Sequence, residues 1–347
     1  MRVLFLCPRW PYPVRKGDQV VAYHRLRTLS RDHELTLVSF ADEPLSQEQM
    51  APIAELCKNV YVLQTSKRER ALAALKGVWS RDLPMQVAYY QSKQLEALLE
   101  HLLAHGAFDV VHSLLLRLAP PLAKFSGRVV LELIDSMELN FRRQLTTTKS
   151  PLKRLLVREE YRRLTRFEPE LVEQFPLRTV VSEIDRMHMG EQTVVLPNGV
   201  VIPDELPLES RRTPGRLVFH GNLGYHANQA AVRWLMDDVW PRLKALAPER
   251  SPELVIAGAN PPRWIEDYRS IPGVEVLGNV ADVPTLLQGA VLALAPMRSG
   301  SGIQNKVLEA MAAGLPVVAT TFAIGGDRKS TRLNSSHIPL SRMPSSA

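Results

Sequence analysis

Between Met297 and Gly326 the chain reads MRSGSGIQNKVLEAMAAGLPVVATTFAIGG. Gly302, Asn305, Lys306 and Glu309 fall at i, i+3, i+4 and i+7, on one side of an expected helix. That side offers a bare backbone at the helix mouth, an amide, a cation and a carboxylate. The N–H groups of a helix N-terminus, including those of Gly302 and Ile303, lie at the positive end of its dipole and suit a phosphate. Gly302 lets the phosphate come close to the backbone. Arg298 and Lys306 flank the mouth and can neutralise a diphosphate. Glu309, about two turns along, can accept from sugar hydroxyls. An ordinary surface helix with a solvated Lys–Glu pair is the alternative, and the ordered combination favours a nucleotide-diphosphate site. No residue stands out as a covalent nucleophile. Arg298 and Lys306 are the candidates for a catalytic role, as cations beside a leaving diphosphate.

The elements around this stretch must place it. The helix is expected to end near Ala313 with Gly314 as its stop, and a buried strand is expected over Pro316–Thr320. Ile303, Val307, Ala310, Met311 and Gly314 form the face that packs on a sheet. Upstream, strands and helices alternate. Strands are expected at Arg2–Cys7, Glu34–Phe40, Asn59–Gln64, Asp109–Leu114, Arg128–Asp135, Arg178–Glu183, Arg216–Gly221, Glu253–Ala259, Val274–Gly278 and Val291–Ala295. Helices are expected over Gln19–Ser30 with Asp18 as N-cap, over Ser46–Cys57 with a Ser46/Gln49 capping box, and over Ser92–His105. Further helices are expected over Pro151–Phe175 and Asn228–Leu246. The alternation predicts α/β domains with doubly wound parallel sheets. Residues 1–200 form the first domain, the Pro-rich residues 201–214 a linker and 215–326 a partial second domain. His112 stands near the end of its strand and reads as a core or supporting residue. In the Pro151–Phe175 helix, Leu152, Leu155, Leu156, Val157, Tyr161 and Leu164 trace an apolar face beside Lys153, Arg154, Arg158, Arg162, Arg163 and Arg166. Such a helix packs on its own domain or lies peripherally on an anionic membrane.

The segment LEAMAAGLPVVAT resembles the donor-binding signature of retaining glycosyltransferases of family four. That resemblance covers residues 1–326 and implies the GT-B fold, two Rossmann-like domains facing across a cleft. The family usually carries two glutamates eight positions apart. Glu309 matches the second, which typically holds the ribose, and Ser301 stands in place of the first. The variant GIQNKVLEAMA is similar to sugar transferases linked to bacterial exopolysaccharide and PEP-CTERM export clusters. Lys16-Gly17-Asp18 matches that subgroup's first loop, which carries Gly17 over as a donor-binding residue. Common members place an arginine and a lysine where this chain has Asn222 and Ala227. Asn222 keeps its place in the donor loop, and the donor's charge falls more on Arg298 and Lys306. The resemblance implies retaining transfer from a nucleotide-sugar donor to a glycan or lipid-linked acceptor, as in exopolysaccharide or cell-surface glycan synthesis. An epimerase acting on nucleotide-sugars and a non-catalytic nucleotide-sugar-binding protein remain open alternatives.

Composition narrows the classes. The 347 residues are 45% hydrophobic, enough for two ordinary cores. The net charge is +7, of which residues 327–347 supply +3, too little in the rest to argue for nucleic acid. Cys7 and Cys57 are too few and too far apart for a disulfide framework or a zinc cluster, and fit a reducing cytoplasm. No apolar run reaches the roughly 18 residues of a membrane span. There is no Asp-x-Asp pair and no cluster with metal-ligand spacing, so neither a metal nor a cofactor is expected. The stretch DRKSTRLNSSHIPLSRMPSSA at 327–347 loses the alternation and is similar to a translated sequencing adapter. It is expected to be a non-native tail without stable packing, which leaves the second domain truncated and activity in doubt.

Overall fold

Arg2–Cys7 forms β1, and its alternate side chains enter two different cores. Val3, Phe5 and Cys7 pack with Val21, Leu26 and Ile53 on one face. Leu4 and Leu6 pack with Leu99, Leu102 and Leu164 on the other. A strand buried on both faces must be apolar throughout, which is why this one shows no polar alternation. The computed structural model describes residues 1–14, 17–65, 83–125, 127–148, 150–202, 212–246, 249, 251–280, 282–298 and 304–324. Two units divide the chain, Met1–Pro197 and Asn198–Ala347. Most of the expected linker (203–211) and the expected tail (327–347) lie outside the described residues.

In the first unit α1 (Gly17–Leu29) follows β1, then β2 (Glu34–Ala41), α2 (Gln47–Ala54) and β3 (Asn59–Gln64). Next come α3 (Met85–Ala88), α4 (Lys93–His105), β4 (Val110–Leu114) and β5 (Val129–Ile134). The unit closes with α5 (Met137–Thr147), α6 (Pro151–Val172), β6 (Leu177–Val180), α7 (Glu183–Met189) and β7 (Val194–Val195). The strands pair in parallel in the order β3-β2-β1-β4-β5-β6-β7. Its first six places follow the doubly wound order 3-2-1-4-5-6.

The second unit carries β8 (Arg216–His220), α8 (His226–Trp234), a π-helical stretch over Leu235–Val239, and α9 (Trp240–Leu246). It continues with β9 (Glu253–Gly258), α10 (Arg263–Glu266), β10 (Val274–Gly278), α11 (Val283–Gln288), β11 (Leu292–Ala295), α12 (Asn305–Ala312) and β12 (Val317–Ala319). The order β10-β9-β8-β11-β12 is again parallel and repeats the 3-2-1-4-5 arrangement. Together the two units give the GT-B-like fold of two Rossmann-like domains.

Local chemistry explains the agreements and the differences. Ser46 and Gln49 form the expected capping box, at 3.3 and 2.9 Å. Asp18 does not cap α1. The helix already begins at Gly17, and both Asp18 carboxylate oxygens accept from Arg9, at 2.7 and 2.6 Å. The strand expected to run to Glu183 stops at Val180, because Ser182 turns the chain and accepts the Asp185 amide to open α7. Gly314, with φ +64°, ends α12 as expected.

The interior of the first unit holds ionisable groups. His112 on β4 meets Glu132 on β5 at 2.9 Å and stacks on Phe5. Arg25 on α1 grips the same carboxylate at 3.0–3.1 Å. Burial works to raise the Glu132 pKa, and His112 and Arg25 outweigh it, so the carboxyl sits below its usual range. The N-terminus of α5 is occupied by Glu168, which accepts from Ser136 Oγ and from the amides of Met137 and Glu138 at 2.8–3.0 Å. Burial nevertheless pushes the Glu168 carboxyl up to about 7.

Candidate functional site

The second unit gathers its polar residues at the C-terminal ends of its parallel strands, where open α/β sheets place ligands. β8 ends in His220 and passes into Gly221-Asn222-Leu223-Gly224 before α8. Gly221 has φ +144° and Gly258, at the end of β9, has φ +151°. These values are open to glycine, and the close approach enforces them. A Cβ on Gly258 would lie 1.7 Å from the Gly221 carbonyl oxygen. A Cβ on Gly221 would meet Asn228 Nδ2 at 3.1 Å and Lys306 Nζ at 3.3 Å. The turn is fixed by Asn222, whose Oδ1 accepts the Gly224 amide at 2.9 Å.

Lys306 reaches this turn from α12. Its amine donates to Asn228 Oδ1 at 2.6 Å, lies 3.2 Å from Met297 Sδ and stands over the Phe219 ring, 4.4 Å from its centre. Only 7% of the residue is exposed, so it is not the solvated surface cation of the alternative reading. Among the described residues no carboxylate lies within ion-pairing distance of Nζ. Burial, opposed in part by the Glu309 charge, brings the amine down to about 7. Asn228 ties the arrangement together, because its Nδ2 donates to the Asn222 carbonyl at 2.8 Å.

Glu309 is half-buried on the same helix, and its Oε2 lies 3.4 Å from His220 Nδ1. Burial raises the Glu309 pKa against the opposing charge of Lys306. His220 is 3% exposed, and its Nε2 has no hydrogen-bond partner among the described residues. Burial, then the Lys306 charge, lowers its pKa to about 4, with the Lys306 backbone acting the other way. The imidazole is therefore neutral at pH 7. Arg298 is exposed after β11, its guanidinium 5.6 Å from the centre of the Trp234 ring. Asn305 is held by Asn198, whose Nδ2 donates to its Oδ1 at 2.8 Å.

The structure thus brings Asn222, Lys306 and Glu309 to one strand-end site, with Arg298 following β11 and Asn305 opening α12. Gly302 and Ile303 lie outside the described residues. Gly17 belongs to the first unit, where it is the first residue of α1. A Cβ there would meet nothing within 4 Å, so no crowding calls for a glycine. The apolar face of α12 is as expected, with Val307 and Ala310 buried, while Ile303 is outside the described residues. Sequence reasoning did not single out His220 or Asn228. His220 ends an apolar strand at the ligand end of the sheet, which is a usable signal. Asn228 gave none, because only the packing of α8 beside α12 reveals its contact. Among the described residues no three His, Cys, Asp or Glu side chains converge as metal ligands. None of their helices is long and apolar enough to cross a membrane.

The model for glycosyl transferases group 1 matches residues 214–332, the part of the chain that carries this site. No curated protein sequence matches the chain. Among solved structures, sucrose-phosphate synthase from Thermosynechococcus elongatus superposes with a TM-score of 0.63 at 13% identity, covering 94% of this chain and 82% of that one. HepE from Anabaena, in complex with UDP, superposes at 0.60 and 16% identity, with the same 94% and 82% covered. TarM superposes at 0.64 and 11% identity, covering 94% of this chain and 87% of its own. At these identities the likeness establishes the GT-B fold.

Proposed function

We propose that the chain is a glycosyltransferase that moves a sugar from a nucleotide-sugar donor to a glycan or lipid-linked acceptor, with retention and without a metal. The observation that carries this reading is the strand-end site built from Gly221, Asn222, Lys306 and Glu309. It lies inside the region matched by the group 1 glycosyltransferase model. The solved structures of HepE with UDP and with UDP-glucose support a uridine donor.

In this reading the diphosphate lies against the Gly221 turn and the N-terminus of α12, where backbone dipoles favour an anion. Negative charge grows on it as the glycosidic bond breaks. Lys306, charged by solvent proton uptake when the diphosphate binds, and Arg298 stabilise the leaving group, a role that a divalent ion fills elsewhere. Glu309 accepts from the ribose hydroxyls. Asn305, at the start of α12, completes the donor site, and Gly302, Ile303 and Gly17 remain its candidates from the sequence and the family resemblance alone. An exopolysaccharide or cell-surface glycan pathway at the cytoplasmic face of a bacterial membrane fits the GIQNKVLEAMA variant, and a lipid-linked acceptor fits the basic helix at 151–175.

A thermal-shift screen of UDP-, GDP- and ADP-sugars tests the donor, followed by incubation with candidate acceptors and with EDTA. Sugar transfer that survives EDTA is the expected result. A new sugar nucleotide formed without acceptor would indicate an epimerase. Binding without turnover across acceptors would indicate a binding protein.

A further inference from the structure

The helix α6 is packed along only part of its length. Val157, Leu164, Leu171 and Val172 are buried, and Glu160 and Arg163 are buried with them. Glu160 accepts the Met85 and Gln86 amides at 2.7 and 2.8 Å, and Arg163 donates to the Leu83 carbonyl at 2.9 Å. These contacts fix which side of α6 faces its domain. Leu152, Leu155 and Leu156 do not belong to that side. They are 71%, 63% and 54% exposed. At roughly 100° per residue they stand about 100–160° around the axis from Val157. The single apolar face read from the sequence is therefore two faces, one buried and one open.

The open face is cationic. Residues 151–158 contain Lys153, Arg154 and Arg158, all exposed, and no acid. The next carboxylate, Glu159, is held by Arg162 at 2.8 Å and Arg163 at 2.9 Å. Farther along, Arg162 and Arg166 are exposed on the outward side. Three adjacent leucines in water, ringed by cations, constitute an unfavourable surface for a solvated helix. The same arrangement suits an anionic bilayer, where leucines enter the acyl boundary and lysine and arginine heads stay among the lipid phosphates. A protein partner would need an acidic apolar groove of matching shape, whereas a bilayer needs only the charge and the apolar tips.

We propose that the N-terminal two turns of α6 dock the chain on an anionic phospholipid surface, with Leu152, Leu155 and Leu156 inserted and Lys153, Arg154 and Arg158 on the headgroups. This stands apart from the transfer reading, since docking needs neither donor nor acceptor. The test is co-sedimentation of the full chain with vesicles of phosphatidylcholine alone and with added phosphatidylglycerol. Binding is expected only with phosphatidylglycerol, and is expected to weaken as salt rises. Each cation near such a surface contributes about fivefold, so K153Q/R154Q/R158Q is expected to lower partitioning on the order of a hundredfold. L152S/L155S/L156S is expected to abolish retention at moderate salt. Both variants alter exposed positions, and circular dichroism checks that each keeps its fold. Three results would overturn the proposal: no binding by the parent chain, binding indifferent to phosphatidylglycerol, or binding unchanged in both variants. A lipid-free dimer abolished by the leucine variant would reassign the face to a second copy of the chain. Nucleotide-induced thermal shifts, measured on the same samples, report the donor site separately.

Discussion

Lys306 and Glu309 stand one turn apart on α12, yet their surroundings ask different things of them. Glu309 is half-buried with His220 at 3.4 Å, so it retains an open acceptor edge. Glu309→Gln keeps its shape and removes the charged acceptor, and is expected to cost about 1–3 kcal/mol of nucleotide affinity. Titration calorimetry with UDP measures it. Lys306→Met is expected to weaken UDP far more than uridine, and equal losses for both would remove the amine from the phosphate site. The burial of that amine gives a sharper prediction. With its pKa near 7 it is only partly charged in the free chain, and an arriving diphosphate favours the charged form. Binding at pH 8 should therefore take up a proton, up to about one per site, seen as heats that vary with the buffer's ionisation enthalpy. Asn228→Asp puts a carboxylate beside Nζ, charges the lysine beforehand and should abolish that uptake. Buffer-independent heats in the parent chain would show that Lys306 does not change its protonation state when the diphosphate binds, and would overturn this prediction.

At the scale of elements, the close approach of the chain at the C-terminal ends of the parallel strands β8 and β9 sets the shape of the site. Gly258 presses on the Gly221 carbonyl so closely that no side chain fits between them. Gly258→Ala is expected to destabilise the second unit by more than about 1 kcal/mol, through both strain and a displaced Gly221 turn. Gly17→Ala, at an open helix start, is expected to be neutral or mildly stabilising. Urea unfolding of the two variants makes the comparison, and equal losses would refute the steric argument. The elements themselves were largely legible in the sequence, because runs such as RVLFLC and ELVIAG are too apolar for anything but doubly buried strands. The Ser46–Gln49 box was legible because capping is local. Asp18 misled because its partner, Arg9, lies across a loop whose fold the local sequence does not state. The leucines of α6 misled because helical periodicity says which residues share a face, but not which faces meet a core. Lys306 was found as a cation by its spacing, while its burial came from Phe219, Met297 and Asn228 on three other parts of the chain.

For the whole molecule, the two units bury ionisable groups of opposite sign, and their stabilities should respond to pH in opposite senses. In the first unit Glu168 has its pKa raised from 4.5 to about 7. The folded chain then holds a proton that the unfolded chain has released, so this group's contribution falls as pH rises from 4.5 through 7. In the second unit Lys306 has its pKa lowered from 10.5 to about 7. Between those values the unfolded chain holds the extra proton, so the penalty for burying the amine fades and stability rises with pH. His220, lowered from 6.5 to about 4, adds a rise of the same sign at lower pH. Glu132, held low in the first unit, and Glu309, raised in the second, each act against their own unit's trend, so variants must isolate the groups. Glu168→Gln keeps one oxygen for Ser136 and Glu138 while its NH2 faces the Met137 amide, and should remove the first unit's fall between pH 4.5 and 7, on the order of 3 kcal/mol at most. Lys306→Met should remove the second unit's rise between pH 7 and 10.5, and, by taking away the charge that helps hold the His220 pKa down, should also shrink the rise on the acid side. Calorimetric melting of the parent chain and both variants across this range provides the measurement. A Glu168→Gln profile that parallels the parent between pH 4.5 and 7 would mean that the helix-capping bonds at α5 keep this carboxylate ionised in spite of its burial.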